Sequence, residues 1–140
     1  MIVFGREVLG DWAKARIEGA NWGPWYECIG QEIDGKIISV AVFTDYTGTN
    51  ICIHLAGEKG WMTTEFFDAI FAYPFLQLKV NRLTAQIGAK RKKLIRFYRW
   101  FGFREEGLLR EALKDDDMVI MGCLASDRKY GKKDRSTAAA

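Results

Sequence analysis

The chain has 140 residues, of which 49% are hydrophobic and 14% aromatic, and its formal net charge is +3. That length suits one domain with a substantial core, and the apolar content excludes a disordered chain. The small charge gives no argument for nucleic acid, the single histidine, His54, leaves little room for zinc, Ser-His or Cys-His chemistry, and no apolar run approaches the ~18 to 20 residues of a membrane span. Cys28, Cys52 and Cys123 are scattered, without CxxC spacing, and read as reduced core thiols of a cytoplasmic protein. The start, MIVFGREVLG, lacks the basic n-region and long apolar core of a signal peptide.

Ile2 to Phe4 reads as a short strand. Arg6 to Glu18 is helical by pattern, with Leu9, Trp12, Ala13 and Ile17 on one face. Gly19 to Pro24 breaks it. Trp25 to Ile33 alternates as a half-buried strand, and Asp34-Gly35 signals a hairpin turn whose two central residues need positive φ. Lys36 to Tyr46 returns as a buried strand, and Asn50 to Ala56 follows after a turn at Thr47 to Thr49. The three make an antiparallel meander.

The pattern then changes. Gly57 to Gly60 is a loop, and Thr63 or Thr64 can cap a helix whose apolar face carries Phe67, Ile70 and Phe71. Tyr73-Pro74 should end that helix. Val80 to Ala89 reads as a strand parallel to Asn50–Ala56, reached by a right-handed crossover. Next comes a basic run, Lys90 to Lys93, and a helix with Leu94, Phe97, Tyr98 and Phe101 on one face, stopped at Gly102. Glu106 to Leu113, a turn at Lys114 to Asp117, and Met118 to Ala125 form a final hairpin. The domain is expected to span residues 1–125, with a flexible basic tail over 126–140.

Four features could carry chemistry. The loop Gly57 to Thr63 opens a helix, and a helix N-terminus has unpaired N–H groups that suit phosphate; a plain strand-to-helix turn explains the same spacing. Tyr98 could protonate a leaving group, or be a core aromatic. The cations Lys90 to Lys93, with Arg96, Arg99 and Arg104, could meet phosphates, or form a solvated helix face. His54 could act as a general base, or be structural, and Glu27, Glu32 and Asp45 are carboxylates able to do so through a water. No metal site is expected.

Taken in order, these pieces resemble the GNAT N-acetyltransferase superfamily. The match rests on Phe97-Tyr98-x-x-x-Gly102-Phe103-x-x-Glu106-Gly107-x-x-Arg110, close to FYxxxGFxxEGxLR, and on Lys59-Gly60-Trp61-Met62-Thr63, similar to the end of the family's pyrophosphate loop. The resemblance spans about Glu27 to Leu124. It implies a mixed α+β fold, a central and mostly antiparallel sheet with one parallel strand pair flanked by helices. It implies acetyl-CoA as co-substrate, its pantetheine arm admitted where the strands around Ile53–Leu55 and Leu83–Ile87 splay apart. The pyrophosphate would lie on backbone N–H groups of Glu58, Lys59, Gly60, Trp61, Met62 and Thr63, and Lys90, Arg91 or Lys93 would meet the phosphates. An amine acceptor, a small molecule or a protein, would attack the thioester directly once deprotonated, and Tyr98 would protonate the thiolate. The resemblance names no base, and His54 and Glu27 remain candidates by residue type alone.

Glu58 stands where the family commonly has glycine, Arg91 where it has asparagine, and Leu94 where it has alanine or serine. These departures motivate an alternative: a GNAT-fold chain without catalysis, acting as a binding or structural protein. Compact chains of that kind occur among bacteriophage proteins, including virion components. Nucleic acid is disfavoured, no membrane span is expected, and Trp12, Trp22 and Trp25 could serve a homodimer interface.

Overall fold

The computed structural model describes residues 1–132. Its strands are β1 (Ile2–Phe4), β2 (Tyr26–Ile33), β3 (Lys36–Thr44), β4 (Asn50–Gly57), β5 (Arg82–Gly88), β6 (Arg104–Leu113) and β7 (Asp116–Leu124), and its α-helices are α1 (Arg6–Lys14), α2 (Thr64–Ala72) and α3 (Lys92–Trp100). The strands form one sheet in the order β1-β2-β3-β4-β5-β7-β6. Every neighbouring pair is antiparallel except β4 and β5. The single parallel pair follows from the β4–α2–β5 crossover, as the change from strand to helix periodicity predicts.

Alternation along each strand supplies two buried faces. One carries Cys28, Val40, Val42 and Ala56 against Leu9 and Ala13 of α1. The other carries Phe43, Ile53, Leu83, Ala85, Ile87 and Met121 against Phe67, Ile70 and Phe71 of α2 and Ile95 and Tyr98 of α3. All three cysteines are free and buried. Asp34 and Gly35 both have positive φ, 52° and 78°, as the hairpin demands. No helix among the described residues is long and apolar enough to cross a membrane.

Several boundaries differ from the sequence reading. The first helix ends at Lys14 instead of Glu18. Pro74 does not stop the chain's coiling: Tyr73–Gln77 continue as a π-helical turn, with the Leu78 N–H donating to the Tyr73 carbonyl at 3.0 Å. The wider turn accommodates a proline that has no N–H to give and a ring that crowds the preceding turn. The last hairpin turns on two residues, Lys114 and Asp115. The tail is docked further than expected. Ala125–Asp127 form a 3-10 turn, the Tyr130 ring lies 5.1 Å from that of Phe67, and the Gly131 N–H donates to Asp68 Oδ1 at 2.9 Å. Aromatic surface on α2 gives Tyr130 something to bury, which a reading of polarity alone does not foresee. The remainder of the expected tail, 133–140, lies outside the described residues.

Candidate functional site

The β4–β5 ladder is short. Asn50, Ile51 and Cys52 pair with Arg82, Leu83 and Thr84, and there the pairing stops. Leu83 therefore belongs to the closed end, and the strands diverge only beyond Cys52 and Thr84. Backbone direction alternates along β4. The Thr49 carbonyl accepts from Asn81 and Arg82 next to β5, so the groups of Ile53 and Leu55 point the same way, into the divergence. A cavity of about 480 Å³ runs through it. Its walls come from both faces of the sheet: Arg16, Ile17 and His54 from the α1 side, and Trp61, Leu94, Phe97 and Tyr98 from the other. The volume lies in the range of small-molecule sites, about 300–1,000 Å³.

Tyr98 is held by the way α3 ends. The Gly102 N–H donates to the Arg99 carbonyl at 3.1 Å and the Phe103 N–H to the Tyr98 carbonyl at 3.0 Å. This double closure needs a left-handed residue, and Gly102 supplies φ of +107°. Phe103 then packs edge-on against the Tyr98 ring at 5.0 Å. Tyr98 is only 3% exposed. Burial pushes its phenol above the usual tyrosine range, with the Arg91 charge opposing that rise. The hydroxyl stays protonated at neutral pH and is available as a donor.

His54 pairs across strands with Val42 and so faces α1. Its ring sits 5.3 Å from Trp22. The Thr44 hydroxyl donates to Asp45 Oδ2 at 2.9 Å, and its oxygen lies 2.9 Å from His54 Nε2. Because Thr44 has one proton to give, Nε2–H must donate to it, which leaves the lone pair on Nδ1. Burial lowers the His54 pKa below its usual 6.5, and Asp45 partly opposes this. The imidazole is neutral at pH 7.

The loop after β4 is tied down from below. Gln31 is 1% exposed. Its Nε2 donates to Ser39 Oγ at 3.0 Å and to the Trp61 carbonyl at 2.9 Å, and its Oε1 accepts from the Thr63 hydroxyl. Thr63 also caps α2 by accepting from the Phe66 N–H at 3.2 Å. Trp61 lies over Gly57, where a Cβ would meet its ring at 2.5 Å. Within the loop, the N–H groups of Glu58, Trp61 and Thr63 already donate to Ile38, Glu58 and Trp61 carbonyls. An anion would therefore meet the N–H groups of Lys59, Gly60 and Met62 and the first turn of α2. The Glu58 carboxylate is turned to Arg16, 2.8 Å from Nη2 and 3.1 Å from Nε. Arg16 itself stacks over Trp12 at 3.6 Å.

A second cavity, about 660 Å³, adjoins the first through Trp61, Arg91, Leu94 and Phe97 and adds Met62 and Lys90 to Lys93. Here the basic run meets an aromatic wall. Lys90 is partly committed, since its Nζ donates to the Asp115 carbonyl at 2.6 Å.

The structure thus gathers Ile53, His54, Leu55, Glu58, Trp61, Arg91 and Tyr98 around the first cavity, and Met62, Lys90, Arg91 and Lys93 around the second, while Lys59, Gly60 and Thr63 belong to the turn between β4 and α2. Glu27 is not brought there. It pairs with Phe43, one strand short of β4, and its charge acts on Tyr73 and Cys28. Trp22 is buried in the α1-face core and offers no interface surface. Arg16, Ile17 and Gln86 line the cavity but carried no signal in the sequence, because their role depends on tertiary approach.

No protein-family model matches the sequence, and no curated protein sequence matches it. Solved structures do. A point mutant of the spermidine N-acetyltransferase SpeG from Vibrio cholerae superposes with a TM-score of 0.75 at 14% identity, covering 90% of this chain and 95% of that one. A dodecameric spermidine N-acetyltransferase from the same organism gives 0.74 at 12% identity, with 90% and 94% covered. The spermidine/spermine N-acetyltransferase SpeG from Vibrio cholerae in complex with manganese ions gives 0.71 at 14% identity, with 90% and 92% covered. Likeness at these identities shows the fold. It is GNAT-like: a mixed sheet with one parallel pair that splays open, flanked by helices.

Proposed function

We propose that this chain transfers an acetyl group from acetyl-CoA to an amine. The observation that carries the reading is the cavity through the β4–β5 divergence, with Tyr98 on one side of the sheet and His54 on the other. The pantetheine arm enters from the α3 side. The pyrophosphate lies at Lys59, Gly60, Met62 and the start of α2, and Arg91 and Lys93 meet the phosphates in the adjoining cavity. The acceptor arrives from the α1 side.

His54 Nδ1 takes a proton from the acceptor ammonium, directly or through a water. The amine lone pair then attacks the thioester carbonyl carbon, and the carbonyl π electrons move to oxygen. The Leu55 N–H, aimed into the divergence, donates to that oxygen. The oxyanion electron pair then re-forms the carbonyl as the carbon–sulfur bond breaks, and the bonding pair leaves with sulfur, which takes the Tyr98 proton. Arg91 beside the phenol eases that loss. The extra proton on the acylated nitrogen passes to solvent, from which the phenolate is reprotonated. The paired Arg16 removes the penalty of a carboxylate beside the pyrophosphate, so Glu58 is compatible with the site. A second reading is a catalytically silent chain that keeps only the binding cleft; it is favoured by Leu94, which reaches both cavities.

The test is thiol release from acetyl-CoA with a panel of primary amines, followed by mass analysis of the amine. The expected result is an amine heavier by one acetyl group. No thiol release above the protein-free rate, for any amine, sinks the transferase reading.

A further inference from the structure

On the α1 side of the sheet lies a third cavity, about 270 Å³, lined by Trp22, Gly23, Pro24, Trp25, Asp45 and Tyr46. Tyr26 and Thr44 pair at the open end of the β2–β3 hairpin, so Trp25 lies one residue beyond that pair on one strand and Tyr46 two residues beyond it on the other. Their rings are 5.7 Å apart and tilted by 34°. Both stay exposed, at 37% and 42%. An aromatic pair left in water beside a cavity calls for an occupant. Asp45 adds a carboxylate whose Oδ2 takes the Thr44 hydroxyl, and no lysine or arginine among the described residues pairs with it. Aromatic faces around an unpaired carboxylate attract a cation, and an alkylammonium best of all, because its methylene or methyl groups pack on the rings while its charge meets the π faces and the carboxylate.

The position gives this a purpose. Trp22 lines this cavity and contacts the His54 ring at 5.3 Å, and His54 lines the cavity between β4 and β5. Thr44 links the same His54 to Asp45. The two cavities therefore share one wall. We propose that Trp22, Trp25, Tyr46 and Asp45 form a cage for a non-reacting alkylammonium group of the acceptor, which is a diamine or longer polycation. This rests on the transferase reading for its role, though not for its binding chemistry. The charged end is anchored in the cage while the other amine, deprotonated at His54, reaches the thioester.

The experiment uses the full chain without acetyl-CoA. Tryptophan fluorescence is followed while choline or 3,3-dimethylbutan-1-ol, its uncharged isostere, is added. Choline should quench saturably, with the isostere about tenfold weaker or more. Asp45→Asn should weaken choline several-fold at an unchanged melting temperature, and Trp25→Ala should do the same from the aromatic side. Equal binding of the isostere, no saturable quench up to about 100 mM choline, or indifference to both substitutions overturns the cage. Choline binding in a protein that does not bind acetyl-CoA keeps the cage and removes its acceptor role. In an active enzyme, Trp25→Ala, which leaves the Asp45–Thr44–His54 hydrogen bonds intact, should raise KM for a diamine and leave KM for the matching monoamine unchanged.

Discussion

Replacing Tyr98 by phenylalanine removes one hydroxyl and little else. The ring keeps its edge-on contact with Phe103 at 5.0 Å and its contact with Phe97 at 5.9 Å. Stability should therefore change by no more than about 1 kcal/mol, the worth of a single buried polar group. The effect on rate is larger. Burial holds the phenol protonated, so at neutral pH every molecule carries the proton the departing thiolate needs. Losing a positioned general acid costs on the order of 10²- to 10³-fold, about 2.7 to 4 kcal/mol of barrier. The assay is initial-rate thiol release at saturating acetyl-CoA and acceptor, with the melting temperature recorded alongside. The fall should appear in kcat, with the affinity for acetyl-CoA within a few-fold of wild type. A kcat within twofold of wild type would refute the role of Tyr98; a collapsed melting temperature would refute the packing argument.

Other outcomes follow from the same geometry. Gly102→Ala forces a Cβ at φ +107° to within 2.7 Å of the Asp127 carbonyl oxygen, and should cost about 2 to 3 kcal/mol, whereas Gly107→Ala, with nothing within 4 Å, should stay within about 1 kcal/mol in a thermal melt. Arg16→Ala leaves Glu58 unpaired beside the proposed pyrophosphate position and should weaken acetyl-CoA binding several-fold, about 1 kcal/mol; adding Glu58→Ala should restore it in a double-mutant cycle. His54 has a folded pKa below its unfolded 6.5, so its share of stability is complete above pH 6.5 and is lost as pH falls through the lowered folded value. Activity should fall along an acid limb as pH drops through the lowered folded value, and His54→Gln should abolish that limb in a pH–rate profile.

The sheet was legible because its signals are local. Asp34-Gly35 dictates its turn by φ alone, alternation marks β2 to β4, and Gly102-Phe103 after a helical seam announces the closure that fixes Tyr98. The parallel pair followed from one helix placed between two strands. What escaped depends on approach in space. Arg16 reaches Glu58 across 42 positions of sequence, and Gln31 holds Trp61 and Thr63 from another strand. Nothing local marks either residue. The apolar stripe of α3 starts at Leu94, yet the helix packs with its seam one residue round, which leaves Ile95 only 6% exposed and turns Leu94 into the cavities. Glu27 was placed among the candidate bases by residue type; strand order, which type does not encode, keeps it away from the opening. The tail reads as polar, yet Tyr130 alone has enough ring surface to dock it on Phe67 and Phe101.

The most direct test of the central claim, that the divergence between β4 and β5 is an acetyl-CoA site, is titration calorimetry of acetyl-CoA on the wild type and on Leu55→Trp, whose larger ring fills the opening. The account predicts one site per chain with a Kd of about 100 μM or tighter, within the usual span of substrate affinities, and its loss in a Leu55→Trp protein that still melts cooperatively. No heat at about 1 mM acetyl-CoA, or undiminished binding by Leu55→Trp, would contradict it.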